Sequence, residues 1–180
     1  MAVDIYGKGV RPKSADEAGK LAKLYKSDRK LLKERIKAAY NFLLTNKKVD
    51  PTQIVVLGYC FGGTTALELG RSGVDLAGIV SYHGGLESAD PKEANNIKGK
   101  VLILHGAIDP FVPAKEVAAF QKEMDSAKKD YQLISYSGAV HSFTNKKAGD
   151  DITKGAAYNA IADARARKQF SVFMNEVVGL

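Results

Sequence analysis

The stretch QIVVLGYCFGG, residues 53–63, decides how this chain reads. Its first half, QIVVLG, is a short and almost wholly apolar run of the kind found in a parallel strand buried on both faces. Its second half, Gly58-Tyr59-Cys60-Phe61-Gly62-Gly63, sets a G-x-C-x-G pattern between that strand and a helical stretch from Phe61 to about Arg71. The pattern has the form of a nucleophile elbow. The turn is so sharp that side chains two residues either side of its centre collide with neighbouring backbone, which is why glycine suits positions 58 and 62. Cys60 is then presented at the amino end of a helix. There the helix dipole favours thiolate, and the backbone N–H of Phe61 can serve as an oxyanion donor.

Outward from the elbow, strand and helix signals alternate. LAGIVSYH (residues 76–83) and KVLILHG (100–106) are further buried strands, separated by the breaker-rich loop SADPKEANNIKG. Val117, Phe120 and Met124 give the next helix its inward face, and YQLISYS (131–137) is a fourth strand. A closing amphipathic helix carries Tyr158, Ile161, Val172, Phe173 and Val177. Upstream, AVDIY (2–6) alternates apolar and polar residues and reads as the end of a strand. Between Lys20 and Lys48 apolar residues recur every three or four positions, which reads as an amphipathic helix pair broken at Asp50-Pro51. The expected fold class is α/β, a single domain over residues 1–180 with a mainly parallel sheet flanked by helices.

Composition narrows the function classes. Of 180 residues, 45% are apolar and 26% charged, ordinary values for a globular domain that needs no disulfide or metal to hold its core. The single cysteine excludes an internal disulfide, and no apolar run approaches the roughly 20 residues that span a bilayer. The three histidines and Cys60 are too far apart in sequence for a zinc-ligand spacing. A net charge of +7 is concentrated on the basic helix pair, where long lysines cover a surface helix, and no nucleic-acid signature accompanies it. The start MAVDIYGKG lacks an export signal, so the expected compartment is the cytoplasm, with neither membrane nor nucleic acid as partner.

In parallel α/β sheets the ligand crevice lies at the carboxyl ends of the strands. Three chemistry-bearing residues follow strands there: Cys60 in the elbow, Asp109 in HGAIDPFVP and His141 in GAVHSF. Their order is nucleophile, acid, base, with Asp109 suited to orient the imidazole of His141. Two further histidines also follow strands. His105 is expected to brace the Asp109 loop, and His83, in SYHGG, to line the pocket wall.

GYCFGG, HGAIDPFVP and GAVHSF, in that order, resemble the dienelactone hydrolase family, a cysteine-nucleophile branch of the α/β-hydrolases. The resemblance runs along the whole chain and implies an α/β-hydrolase fold. It also implies a triad of Cys60, Asp109 and His141 with Phe61 in the oxyanion hole. The implied reaction is hydrolysis of small carboxylic esters or lactones through a thioester. His141 takes the thiol proton and later activates water, and no metal or organic cofactor takes part. A monomer acting on a small-molecule substrate is expected.

Two departures qualify this expectation. Family members carry strands, a second oxyanion donor and an activating glutamate ahead of the point where this sequence begins. The chain is therefore expected to be incomplete at its amino terminus, and as written poorly active or marginally stable. The alternative function is a non-catalytic or inactive fragment of the same fold. A redox-responsive role for Cys60 is a third reading, weakened by the lack of a second cysteine to resolve a sulfenic acid. The arginines that hold substrate carboxylate in dienelactone hydrolases proper are replaced by Lys8 and Asn145. Lys8, Phe111, Ser142 and Phe143 are the expected substrate-binding residues for a small ester, lactone or thioester with one anionic group.

Overall fold

The computed structural model describes residues 1–179 and forms two compact units, one ending at Pro51 and one beginning at Thr52. In the first, helices α1 (Ala15–Ser27) and α2 (Arg29–Leu44) adjoin at a single residue, Asp28. Its backbone N–H caps α1 on the Leu24 carbonyl, while its carboxylate accepts from the Leu31 N–H and starts α2. Ser14 caps the start of α1 in the same way, accepting from the Glu17 N–H. Tyr25, Leu32, Ile36 and Tyr40 are the buried residues, as the three- and four-residue spacing requires, while Lys30 is exposed and Lys26, Lys33 and Lys37 are half-buried.

The strand expected over residues 2–6 does not form. Asp4 instead accepts from the Gly7 N–H, Gly7 takes a φ of 101°, and its carbonyl accepts from Val10, so the segment leads straight into a turn. Tyr6 stacks on Tyr25 at 5.8 Å, and Arg35 lies 5.3 Å over the Tyr25 ring while donating to the Ile5 carbonyl.

The second unit is a parallel four-stranded sheet in the order β1 (Val55–Tyr59), β2 (Gly78–Tyr82), β3 (Lys100–Gly106), β4 (Tyr131–Tyr136). Helices α3 (Phe61–Arg71), α4 (Ala114–Ser126) and α5 (Ala160–Val178) flank it. Alternation along the strands divides the core. Val80, Tyr82, Leu102 and Leu104 face α5, meeting Ala162, Ala166 and Phe173. Ile79 faces the other way against α3, so closely that a Cβ on Gly70 would meet it at 2.3 Å.

Two expectations are corrected here. β1 is an edge strand, not one buried on both faces, and Leu57 and Tyr59 are 44% and 48% exposed. On α5, Ile161 and Val172 are 64% and 53% exposed, because the inward stripe runs Ala162, Ala166, Phe173 and Val177. The small alanines at 162 and 166, with Phe173 and Val177, mark the face that approaches the sheet, and Ile161 and Val172 do not.

Between α3 and α4 lies a buried ion cluster. Arg71 donates to Glu123 through Nε and Nη2, to Glu68 through Nη1, and to the carbonyls of Leu86 and Glu87. The guanidinium is fully buried, and its donors meet carboxylates and carbonyls in a planar fork that offsets its desolvation. Among the described residues no helix is long and apolar enough to cross a membrane.

Candidate active site

Sheet register builds the first half of the site. Tyr59 of β1 pairs with Tyr82 of β2, so the next residues, Cys60 and His83, emerge side by side at the carboxyl edge. The Cys60 N–H donates to the Tyr82 carbonyl at 3.0 Å and the His83 N–H to that of Leu104 at 2.8 Å. Both residues have positive φ, 53° and 41°, and so does Ser142 at 58°. Non-glycine residues hold such backbone only where their surroundings enforce it, and these three converge on one sulfur. Cys60 Sγ lies 3.4 Å from His83 Nδ1 and 3.4 Å from Ser142 Oγ.

The elbow depends on Gly58, where a Cβ would meet the Gly62 carbonyl oxygen at 2.0 Å. Gly62 is different, since a Cβ there meets nothing within 4 Å; the second crowded glycine is Gly63, against Ser81 Oγ at 2.3 Å. The steric reason expected for Gly62 is thus corrected. Phe61 opens α3 directly after Cys60, which stands at the helix N-cap without using its own side chain as a cap.

The second half comes from the loops after β3 and β4. The Ala107 N–H donates to Tyr136 and the Ile108 N–H to Ala139, which ties the two loops together. Gly106 permits this approach, as a Cβ there would meet the carbonyls of Ala139 and Val140 at 2.7 Å. The His141 backbone pairs with the 155–157 segment through Gly155 and Ala157. Asp109 is buried, with Oδ1 accepting from the Phe111 N–H at 2.8 Å and Oδ2 lying 2.8 Å from His141 Nδ1. A carboxylate only accepts, so His141 carries its proton on Nδ1 and turns Nε2 away from Asp109.

Cys60, His83 and His141 each offer a donor atom, and these atoms lie within 4.8 Å of one another. Burial alone would push the Cys60 thiol up, but hydrogen bonds and charge from His141 and His83 outweigh it and bring the thiol down to about 5. Burial alone would lower His141, but its hydrogen bonds to Asp109 and Cys60 raise it to about 9. The arrangement favours a thiolate–imidazolium pair.

The remaining sequence candidates divide. Phe111 is 58% exposed and sets its ring edge-on to His141 at 5.3 Å. Ser142 touches the sulfur. Phe143 is fully buried and backs the His83 ring edge-on at 5.0 Å, so it packs the site from behind. Lys8 belongs to the first unit. His105 is buried, its ionisation suppressed mainly by burial, and it makes no hydrogen bond through Nδ1. Two residues escaped the sequence reading in their present parts. His83 touches the Cys60 sulfur rather than the pocket wall alone, and Thr144 Oγ1 lies 2.8 Å from its far nitrogen. The readable signal was its place directly after the strand that neighbours the elbow strand.

Comparison with known proteins gives the family. The model of the dienelactone hydrolase family matches residues 1–178. An uncharacterised protein of Caenorhabditis elegans is 32% identical over 148 residues, 81% of this chain and 93% of its own length. The solved structure titled m3DLH is 35% identical with a TM-score of 0.91, and the match covers 98% of this chain and 73% of that one. A dienelactone hydrolase-like promiscuous phosphotriesterase, P91, from metagenomic libraries is likewise 35% identical, with a TM-score of 0.88 and the same coverage. The chain spans 40% to 65% of the length of other curated relatives, several of which bear the name carboxymethylenebutenolidase. By family match, sequence identity and fold alike, the chain belongs to the dienelactone hydrolase family, whose ester- and lactone-hydrolysing members share the α/β-hydrolase fold.

Proposed function

We propose that the chain hydrolyses small carboxylic esters or lactones through a thioester on Cys60. The observation that carries this reading is the Asp109–His141 contact of 2.8 Å beside a cysteine at the elbow. In the resting pair the sulfur is ionised and His141 holds the proton. The thiolate attacks the substrate carbonyl carbon, and the carbonyl electron pair moves to oxygen as an oxyanion. The Phe61 N–H, at the start of α3, is the donor proposed to stabilise it. Collapse of the tetrahedral species expels the alkoxide, which takes the proton from His141 Nε2 and leaves a thioester. His141, now neutral, removes a proton from water as it attacks the thioester, and the acid product departs with thiolate and imidazolium restored. Asp109 keeps the reactive tautomer throughout.

Phe111 and Ser142, which lie against His141 and the sulfur, are the proposed contacts for the acyl group. The relatives named carboxymethylenebutenolidase favour a lactone among the possible substrates. A cytoplasmic monomer acting on small molecules is the proposed setting. The test is turnover of a p-nitrophenyl ester and of an unsaturated five-membered lactone by the chain and by Cys60→Ala. Turnover that disappears with the sulfur supports the reading; turnover that survives in Cys60→Ala, or none in the unaltered chain, counts against it.

A further inference from the structure

The reaction proposed above uses one imidazole, yet two face the Cys60 sulfur, and the second too is anchored through its far nitrogen. His141 is anchored through Nδ1 on Asp109, leaving Nε2; His83 is anchored through Nε2 on Thr144 Oγ1 at 2.8 Å, leaving Nδ1, which lies 3.4 Å from Cys60 Sγ. We propose that Cys60 Sγ, His83 Nδ1 and His141 Nε2 form a three-ligand site for a zinc-class divalent cation, whose reversible binding shuts off turnover.

The chemistry of the donors suits such an ion. One thiolate and two imidazoles are the soft and borderline ligands that zinc prefers to oxygen donors, and three protein ligands leave a fourth position for water. Bonds of about 2.3 Å to sulfur and about 2.0 Å to nitrogen, at a tetrahedral angle, place those atoms roughly 3.5 Å apart. The Cys60–His83 separation of 3.4 Å already meets that requirement. All three donor atoms lie within 4.8 Å of one another, and the ion would draw His141 inward to complete the set.

The outer partners matter as much. Metal-binding histidines characteristically engage the other ring nitrogen with a carboxylate or neutral oxygen, which fixes the tautomer and the ring direction. Asp109 and Thr144 do this for the two rings, and buried Phe143 packs edge-on against His83. Sequence spacing gave no sign of the site because its ligands come from three separate strand ends, brought together by the β1–β2 register and the β4 loop.

Binding involves no redox change. The proton that His141 holds opposite the sulfur passes to solvent, the His83 proton moves from Nδ1 to Nε2, where Thr144 Oγ1 accepts it, and the three freed lone pairs bond to the ion. The nucleophile and the base are thereby occupied together. Ion binding stands on this geometry alone, while inhibition rests on the hydrolysis proposed above.

Cobalt(II) titration of the full chain tests it, because a bound thiolate gives a near-ultraviolet charge-transfer band and a tetrahedral site gives strong visible absorption. Both are expected, with the charge-transfer band absent in Cys60→Ser. His83→Ala and Thr144→Val should weaken cobalt binding by about 10- to 100-fold. Thr144→Val reads the same support should His83→Ala fail to fold. In parallel, zinc should abolish ester turnover and a chelator should restore it. A cobalt complex without the thiolate band, or equal affinity in the Thr144→Val protein, overturns the site. Absence of ester turnover in metal-free protein that still gives the cobalt band refutes the hydrolysis alone, and turnover unaffected by bound zinc overturns the inhibition.

Discussion

Asp109 Oδ2 and His141 Nδ1 meet at 2.8 Å across two loops, and the other carboxylate oxygen is held by the Phe111 N–H. The carboxylate therefore has one orientation and the imidazole one tautomer. Asp109→Asn keeps the size and can still accept from Phe111, but its amide no longer enforces the proton on Nδ1. Ester turnover should fall by about 10²- to 10⁴-fold with the fold intact, measured as kcat beside a circular dichroism spectrum.

The charged pair sets a pH window. Cys60 falls from 9.0 to about 5, so its sulfur is ionised above that value and protonates as pH drops through it. His141 rises to about 9, so its proton is present below that value and is lost as pH climbs through it. Iodoacetamide inactivation should have its midpoint near pH 5 rather than near 9, and His141→Ala should move that midpoint upward. Turnover should plateau between the two values and decline on both sides.

The elbow glycines should separate cleanly. Gly58→Ala places a Cβ 2.0 Å from the Gly62 carbonyl oxygen, a clash with backbone that only a displaced turn relieves. It should destabilise the fold by about 1–3 kcal/mol and abolish turnover. Gly62→Ala meets open space inside α3 and should be neutral or stabilising by up to about 1 kcal/mol in urea denaturation.

Arg71 is the strongest test of the packing. Arg71→Ala leaves the buried carboxylates Glu68 and Glu123 without their cation and should cost about 3–5 kcal/mol. Lys98→Ala removes an exposed pair with Asp75 and should cost at most about 1 kcal/mol. Equal midpoints for the two variants in urea would contradict the buried cluster.

What was legible in the sequence follows from how local its causes are. The elbow, α3 and β3 were readable because short-range sterics and apolar runs fix them, and Asp109 and His141 because they follow strands of one sheet. AVDIY was misleading because alternation signals a strand only where a ladder partner exists, and Asp4 and Gly7 make a turn instead. Ile161 and Val172 misled in a similar way, since hydrophobicity alone does not give helix phase when alanines line the contact. His83 was placed near the pocket but not on the sulfur, because that contact depends on the β1–β2 register, a long-range property.

The most direct test of the central claim is intact-protein mass spectrometry after acid quench of the chain with a slowly deacylating ester. The expected result is one added acyl group, mapped to Cys60, which hydroxylamine removes and which Cys60→Ala does not acquire. An acyl group on any other residue, or undiminished turnover with no adduct in Cys60→Ala, would contradict a thioester at the elbow.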